Sequence, residues 1–181
     1  MRLDIGEFLA LLKDSLGMYL SEYEKTILPR AKEKNSKIVE ELRSADNFDI
    51  YLTGHIDFET VGMFYQITKE LESKGLSVYH PAMVVLPPKE KGVFEFEIEK
   101  KAKVLLVITH TVSFGTSVDV GFFTHRKLIG EDVKIVYCFT GPPYEYEELR
   151  RHPSSIYIDY FTDNINDAIN KVLEFFGKKE D

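Results

Sequence analysis

Apolar residues recur at three- and four-residue spacing along the first part of the chain. Ile5, Phe8, Leu12, Leu16, Tyr19, Tyr23 and Ile27 fall on one stripe, which predicts an amphipathic helix. Pro29 is expected to end or kink it. A second helix is expected over 30–43, with Ile38, Val39 and Leu42 on one face. From residue 49 the pattern changes to short apolar runs separated by helical periodicity. Strands are expected at 49–53, 76–80, 104–109, 134–139 and 155–160. Helices are expected at 60–74, 94–101, 118–127, 145–151 and 164–176, with a mobile loop at 85–92 around Pro87-Pro88.

Five strands alternating with helices predict an α/β fold: a doubly wound, five-stranded parallel sheet with the flavodoxin-like order 2-1-3-4-5. Residues 1–48 form a helical extension in this reading, and residues 49–181 form the α/β domain. The switch point then lies between the first and third strands, where open sheets of this kind bind ligands outside their carboxyl ends. The extension either packs on the main domain or serves as an arm for a second subunit.

The chain has 181 residues, 44% of them hydrophobic, enough for a globular core. Its net charge of −7, with no basic block, argues against a nucleic-acid polymer as partner. The single cysteine, Cys138, lies in an apolar run and reads as a small core residue. No signal peptide and no bilayer-spanning stretch is visible, so a cytoplasmic protein with no membrane partner is expected.

Polar residues with chemical potential gather after the strands. Gly54, His55 and Asp57 follow the first, His80 the second, and His110, Ser113, Gly115, Thr116, Ser117 and Asp119 the third. A glycine loop entering a helix suits phosphate or another anion. Asp119, near the start of that helix, could equally complement its dipole. Dinucleotide, Walker A and nucleophile-elbow sequences are missing. His55, His80 and His110, with Asp57 or Asp119, form a candidate zinc or iron set, although no H-x-x-x-H spacing supports it.

Three segments taken in order resemble the nucleoside 2-deoxyribosyltransferase-like superfamily, which includes the 2′-deoxynucleoside 5′-monophosphate N-glycosidases. They are Ile50-Tyr51-Leu52-Thr53-Gly54, the acidic run from Phe94 to Ala102, and Gly115-Thr116-Ser117-Val118-Asp119-Val120-Gly121-Phe122. The resemblance covers about half the chain. It implies a carboxylate at Asp119 acting on C1′ of the sugar, where the family carries the longer glutamate. It also implies an orienting or proton-transferring acid at Glu95. Ser113, Gly115, Thr116 and Ser117 would hold phosphate or sugar, and Tyr51, Gly54 and His55 would line the pocket. The implied activity is cleavage or transfer of the base of a small (deoxy)nucleoside or nucleoside 5′-monophosphate, with no metal or cofactor and with a homodimer or larger homo-oligomer as the assembly. Two other readings stand beside it: a non-catalytic nucleotide-binding sensor of the same fold, and a metal-dependent enzyme using His55, His80 and His110.

Overall fold

The computed structural model describes residues 2–57 and 60–178. Among the described residues the strands are β1 (Phe48–Thr53), β2 (Val78–Tyr79), β3 (Ala102–Thr109), β4 (Lys134–Phe139) and β5 (Tyr160–Thr162). The α-helices are α1 (Ile5–Ser15), α2 (Glu22–Ser44), α3 (Val61–Ser73), α4 (Pro88–Glu99), α5 (Phe114–Leu128), α6 (Pro143–Arg151) and α7 (Ile165–Phe175). None of these helices is long and apolar enough to cross a membrane. By its contacts the chain divides into two compact units, one of Met1–Asn47 with Pro81–Lys101 and one of Phe48–His80 with Ala102–Asp181. Residues 81–101 therefore group with the amino-terminal helices.

In the first unit the break expected at Pro29 lies earlier, between Ser15 and Glu22, and α2 runs on through Pro29. Gly17, at φ +66°, turns the chain after α1, a conformation glycine adopts without the Cβ clash. Ser21 and Glu24 then open α2 with a capping box, each side chain accepting from the other residue's backbone N–H. Pro29 lies inside α2, so its ring neither ends nor starts a helix. The apolar stripe misleads here because Leu16, Tyr19 and Tyr23 at the join are exposed. The pairing of α1 with α2 is tied by two lysine–glutamate contacts. Lys34 donates to the buried Glu7 carboxylate at 2.6 Å, and Lys13 donates to Glu24. Residues 85–92 are not a loop throughout. Pro88 opens α4, and Lys91 in its first turn donates to the carbonyls of Pro81 and Val84, which fixes the preceding turn.

The Lys13 contact and the cap at Ser21 lower the Glu24 carboxyl to about 2. A group depressed on folding contributes stability above its unfolded value and loses it as pH falls through the folded one. Thermal melting of the protein is therefore expected to fall between about pH 4.5 and about 2. Glu24→Gln should show a shallower drop over that window. An identical profile would show that the contact is not made in solution.

The second unit is the sheet. Its strands are all parallel, in the order β2-β1-β3-β4-β5, as the alternation of elements predicts. The central strands read as continuous apolar runs because both of their faces are buried. Ile50, Leu52, Val104, Leu106, Ile108, Val136 and Cys138 form one face with Phe64, Ile67 and Leu71 of α3 and Ala168, Ile169 and Val172 of α7. Helix α5 packs on β3 and β4. Cys138 is fully buried, and burial pushes its thiol up to about 12, as befits a core residue rather than a nucleophile. The last strand differs most from its expected range: residues 153–157 wind into a 3-10 turn, and the strand pairing with β4 runs from Tyr160.

Two glycines bring the carboxyl ends of the strands together. A Cβ on Gly54 would stand 1.9 Å from the Ile108 carbonyl oxygen, and one on Gly141 would stand 2.4 Å from the His110 carbonyl oxygen. Only glycine lets the backbone after β1 and the turn after β4 approach the end of β3 this closely. The two glycines thereby fix the loops that carry His55 and His110.

Candidate functional site at the carboxyl edge of the sheet

Crossovers from β1 and β3 run in opposite directions along the sheet, so their carboxyl ends flank the switch point. A side-chain hydrogen bond spans it. The Thr53 hydroxyl, at the last residue of β1, donates to Asp119 Oδ2 at 2.6 Å. Thr53 is buried and Asp119 is partly buried. Short hydroxyl-to-carboxylate bonds of this kind are about twice as strong as neutral ones. The carboxylate is thus held at the strand ends by a partner 66 residues away in sequence.

Helix α5 begins four residues earlier than the sequence suggests. Ser113 is its N-cap, and the Ser113 side chain accepts from the Thr116 backbone N–H at 3.2 Å. Gly115, Thr116 and Ser117 therefore lie in the first helical turn instead of a free loop. Their hydroxyls are engaged locally. Thr116 Oγ1 shares a hydrogen bond with Ser113 Oγ at 2.8 Å, and Ser117 Oγ donates to the Ser113 carbonyl at 2.9 Å. Asp119 consequently sits in the second turn, beyond the reach of a simple N-terminal charge effect. Gly115 is exposed at the helix start, where the dipole end favours an anion.

The remaining candidates separate. Tyr51 is fully buried in β1, with its ring 5.3 Å from that of Tyr79. His80 is fully buried at the end of β2, with the Tyr65 ring 4.9 Å away and the Phe64 ring 6.1 Å away. Glu95 lies on α4 of the first unit, 3.6 Å from Lys91. Burial draws the Lys91 ammonium below its ordinary value, and Glu95 draws it back up. His55 and His110, by contrast, meet at the switch point with ring centroids 5.4 Å apart and planes at 88°. A separate cleft of about 520 Å³ opens between α3 and the loops after β4 and β5, with Gln66, Glu70, Thr140, Asp163 and Asn166 among its lining residues. The carboxylates and histidines named above do not line it.

Two residues stand out that the sequence reading passed over. Thr53 reads as a strand end, and only its contact with Asp119 reveals its role. Phe114, the first residue of α5, is 87% exposed beside the strand ends. An aromatic ring directly after Ser113 is visible in the sequence, but nothing in the sequence pattern marks it as exposed.

No protein-family model matches this chain, and no curated protein matches it in sequence.

The near-isosteric Thr53→Val removes the donor to Asp119 while keeping the packing. It is expected to destabilise the fold by about 1.5–3 kcal/mol, the usual range for a hydrogen bond to a charged group. Urea denaturation at neutral pH measures this. A change well under about 0.5 kcal/mol would mean that the bond contributes nothing to the fold.

Proposed function

We propose that this protein cleaves or transfers the base of a small (deoxy)nucleoside or nucleoside 5′-monophosphate, with Asp119 as the carboxylate at the sugar. The observation that carries this reading is the Thr53–Asp119 hydrogen bond at the switch point of a flavodoxin-like sheet. Loss of a base from C1′ passes through an oxocarbenium-like centre, and a fixed carboxylate stabilises that charge or attacks it. Thr53 orients the acid before substrate arrives, so little reorganisation remains for the reaction step. The first turn of α5 offers its dipole to a phosphate or sugar oxygen. The exposed Phe114 ring offers a face on which a base can stack. The resemblance implies an acid/base or orienting role for Glu95, which belongs to the first unit, and Glu95→Gln tests that role separately.

The reading departs from the resemblance at Tyr51 and Ser113. The buried Tyr51 supports the strand from within. Ser113 shapes the start of α5, its hydroxyl oxygen accepting from the Thr116 backbone N–H.

The test is chromatographic. The protein is incubated with a panel of nucleosides, deoxynucleosides and their 5′-monophosphates, and free base is quantified. Base released from at least one member is the expected result. Tight binding of a nucleotide without release would leave the non-catalytic sensor of the same fold. Neither release nor binding would remove both readings.

A further inference from the structure

The loop after β1 and the end of β3 bring three metal-ligating side chains together. His55, Asp57 and His110 each offer a ligand atom, and these atoms lie within 4.8 Å of one another. His55 Nε2 stands 3.4 Å from Asp57 Oδ2. That is wider than the usual hydrogen-bond distance of about 2.7–3.2 Å. It equals the separation of two ligands placed tetrahedrally about 2.1 Å from a shared zinc ion, which is about 3.4 Å. We propose that His55, Asp57 and His110 bind one divalent transition-metal ion, with zinc the best match to two imidazoles and a carboxylate.

The arrangement around the three residues is that of a supported ligand set. Metal-binding carboxylates and imidazoles are held by outer partners that fix their orientation. Here Thr60 does this for His55 and Asp57. Its backbone N–H donates to Asp57 Oδ1 at 2.8 Å, and its one hydroxyl proton is shared between the His55 carbonyl at 2.9 Å and Asp57 Oδ1 at 3.0 Å. The Asp57 backbone N–H closes the turn onto the same hydroxyl at 2.9 Å. Oδ1 is thereby committed to the loop, and Oδ2 is directed at His55. On the other side, the close approach permitted by Gly141 fixes the backbone at His110. The two imidazoles meet edge to face at 5.4 Å, so they come from two strand ends onto one point.

His55 and Asp57 keep 40% and 36% of their side-chain surface exposed, and His110 is exposed as well. Three protein ligands on an open surface leave further positions for water or an anionic ligand, the pattern of reactive rather than structural zinc sites. Of the set expected from the sequence, His55, His110 and Asp57 come together, whereas His80 is buried against Phe64 and Tyr65. The ion would sit beside the loop that follows Thr53. The inference stands on residues other than Asp119 and does not depend on the base-release reading.

The test uses the full chain, stripped with a chelator and titrated with Zn²⁺ by calorimetry and with Co²⁺ by its visible ligand-field bands. One ion per chain is expected. His55→Ala and His110→Ala should each weaken binding by roughly a hundredfold or more. Thr60→Val should weaken it by roughly 10- to 100-fold, as loss of an orienting partner does, and Thr60→Ser should restore it. His152→Ala, which alters an exposed histidine on the turn after α6, should bind as the unmodified chain does. Circular dichroism verifies that each variant is folded. No stoichiometric ion on the unmodified chain would overturn the proposal, as would binding that survives both histidine substitutions. Assaying the stripped protein for base release keeps the two readings apart.

Discussion

Gly54→Ala is expected to cost at least about 3 kcal/mol of stability, at the upper end of what overpacking exacts. The added methyl would stand 1.9 Å from the Ile108 carbonyl oxygen and 3.0 Å from the Phe64 ring. The first of these neighbours is backbone in the middle of a parallel sheet and cannot swing aside. β1 and β3 are paired in register from Phe48 with Ala102 to Thr53 with Val107. Relieving the clash therefore means parting the two strands at the end that holds the site. Against a total stability of about 5–15 kcal/mol, a loss of this size lowers the melting temperature steeply or prevents folding. Gly121→Ala is the internal contrast. Gly121 lies inside α5 with nothing within 4 Å of the added carbon, so the change should stabilise by about 0.5–1 kcal/mol through helix propensity. Denaturant unfolding of the two variants measures both. Equal effects would mean that the strand ends do not approach as described.

Asp119→Ala is expected to lower kcat/KM for base release on the order of a thousandfold or more. Removing one preorganised electrostatic partner of a reacting centre costs about 10² to 10³ in rate, and removing a group that acts covalently costs more. The alanine variant also leaves the buried Thr53 hydroxyl without this acceptor, so its stability should fall alongside. Asp119→Asn separates the two effects, because its amide oxygen still accepts from Thr53 while the charge is gone. Turnover should drop in both variants, and stability should drop mainly in the alanine variant. Asp119→Glu is informative in the other direction. The bond from Thr53 fits the shorter acid at 2.6 Å, and an added methylene displaces the carboxylate by roughly 1 Å. A displacement of that size costs about a hundredfold. Turnover is therefore expected to fall in the glutamate variant.

The sheet was legible in the sequence because its central strands must be apolar on both faces. Val104–Thr109 and Lys134–Phe139 announce themselves for that reason, and strand alternation then restricts the topology to a few choices. Boundaries set by local hydrogen bonding were harder to read. The amino-terminal stripe runs unbroken through Leu16, Tyr19 and Tyr23, yet these residues are exposed, and the real signals were Gly17 and the Ser21–Glu24 capping box. Gly115-Thr116-Ser117 reads as a loop because glycine and hydroxyl residues disfavour helix interiors. The Ser113 cap outweighs that preference and starts the helix at Phe114.

The candidate site was legible as an edge but not as contacts. The order of the strands places the loops after Thr53 and Thr109 together. No periodicity reveals that Thr53 binds Asp119, since that depends on how far α5 extends beyond its cap. The meeting of His55 with His110 follows from register. Thr53 pairs with Val107, so the residues just beyond those two positions arrive side by side. The same register leaves His80 at the end of β2, where Phe64 and Tyr65 enclose it. Equal chemical type in the sequence therefore did not mean equal position.

The most direct measurement compares free-base release by the unmodified chain and by Asp119→Asn, at equal folded concentration, on the most reactive deoxynucleoside or deoxynucleoside 5′-monophosphate. Release by the unmodified chain and its near-complete loss in the variant is the expected result. Release of base at the same rate by both proteins would contradict a reaction carried by the Asp119 carboxylate.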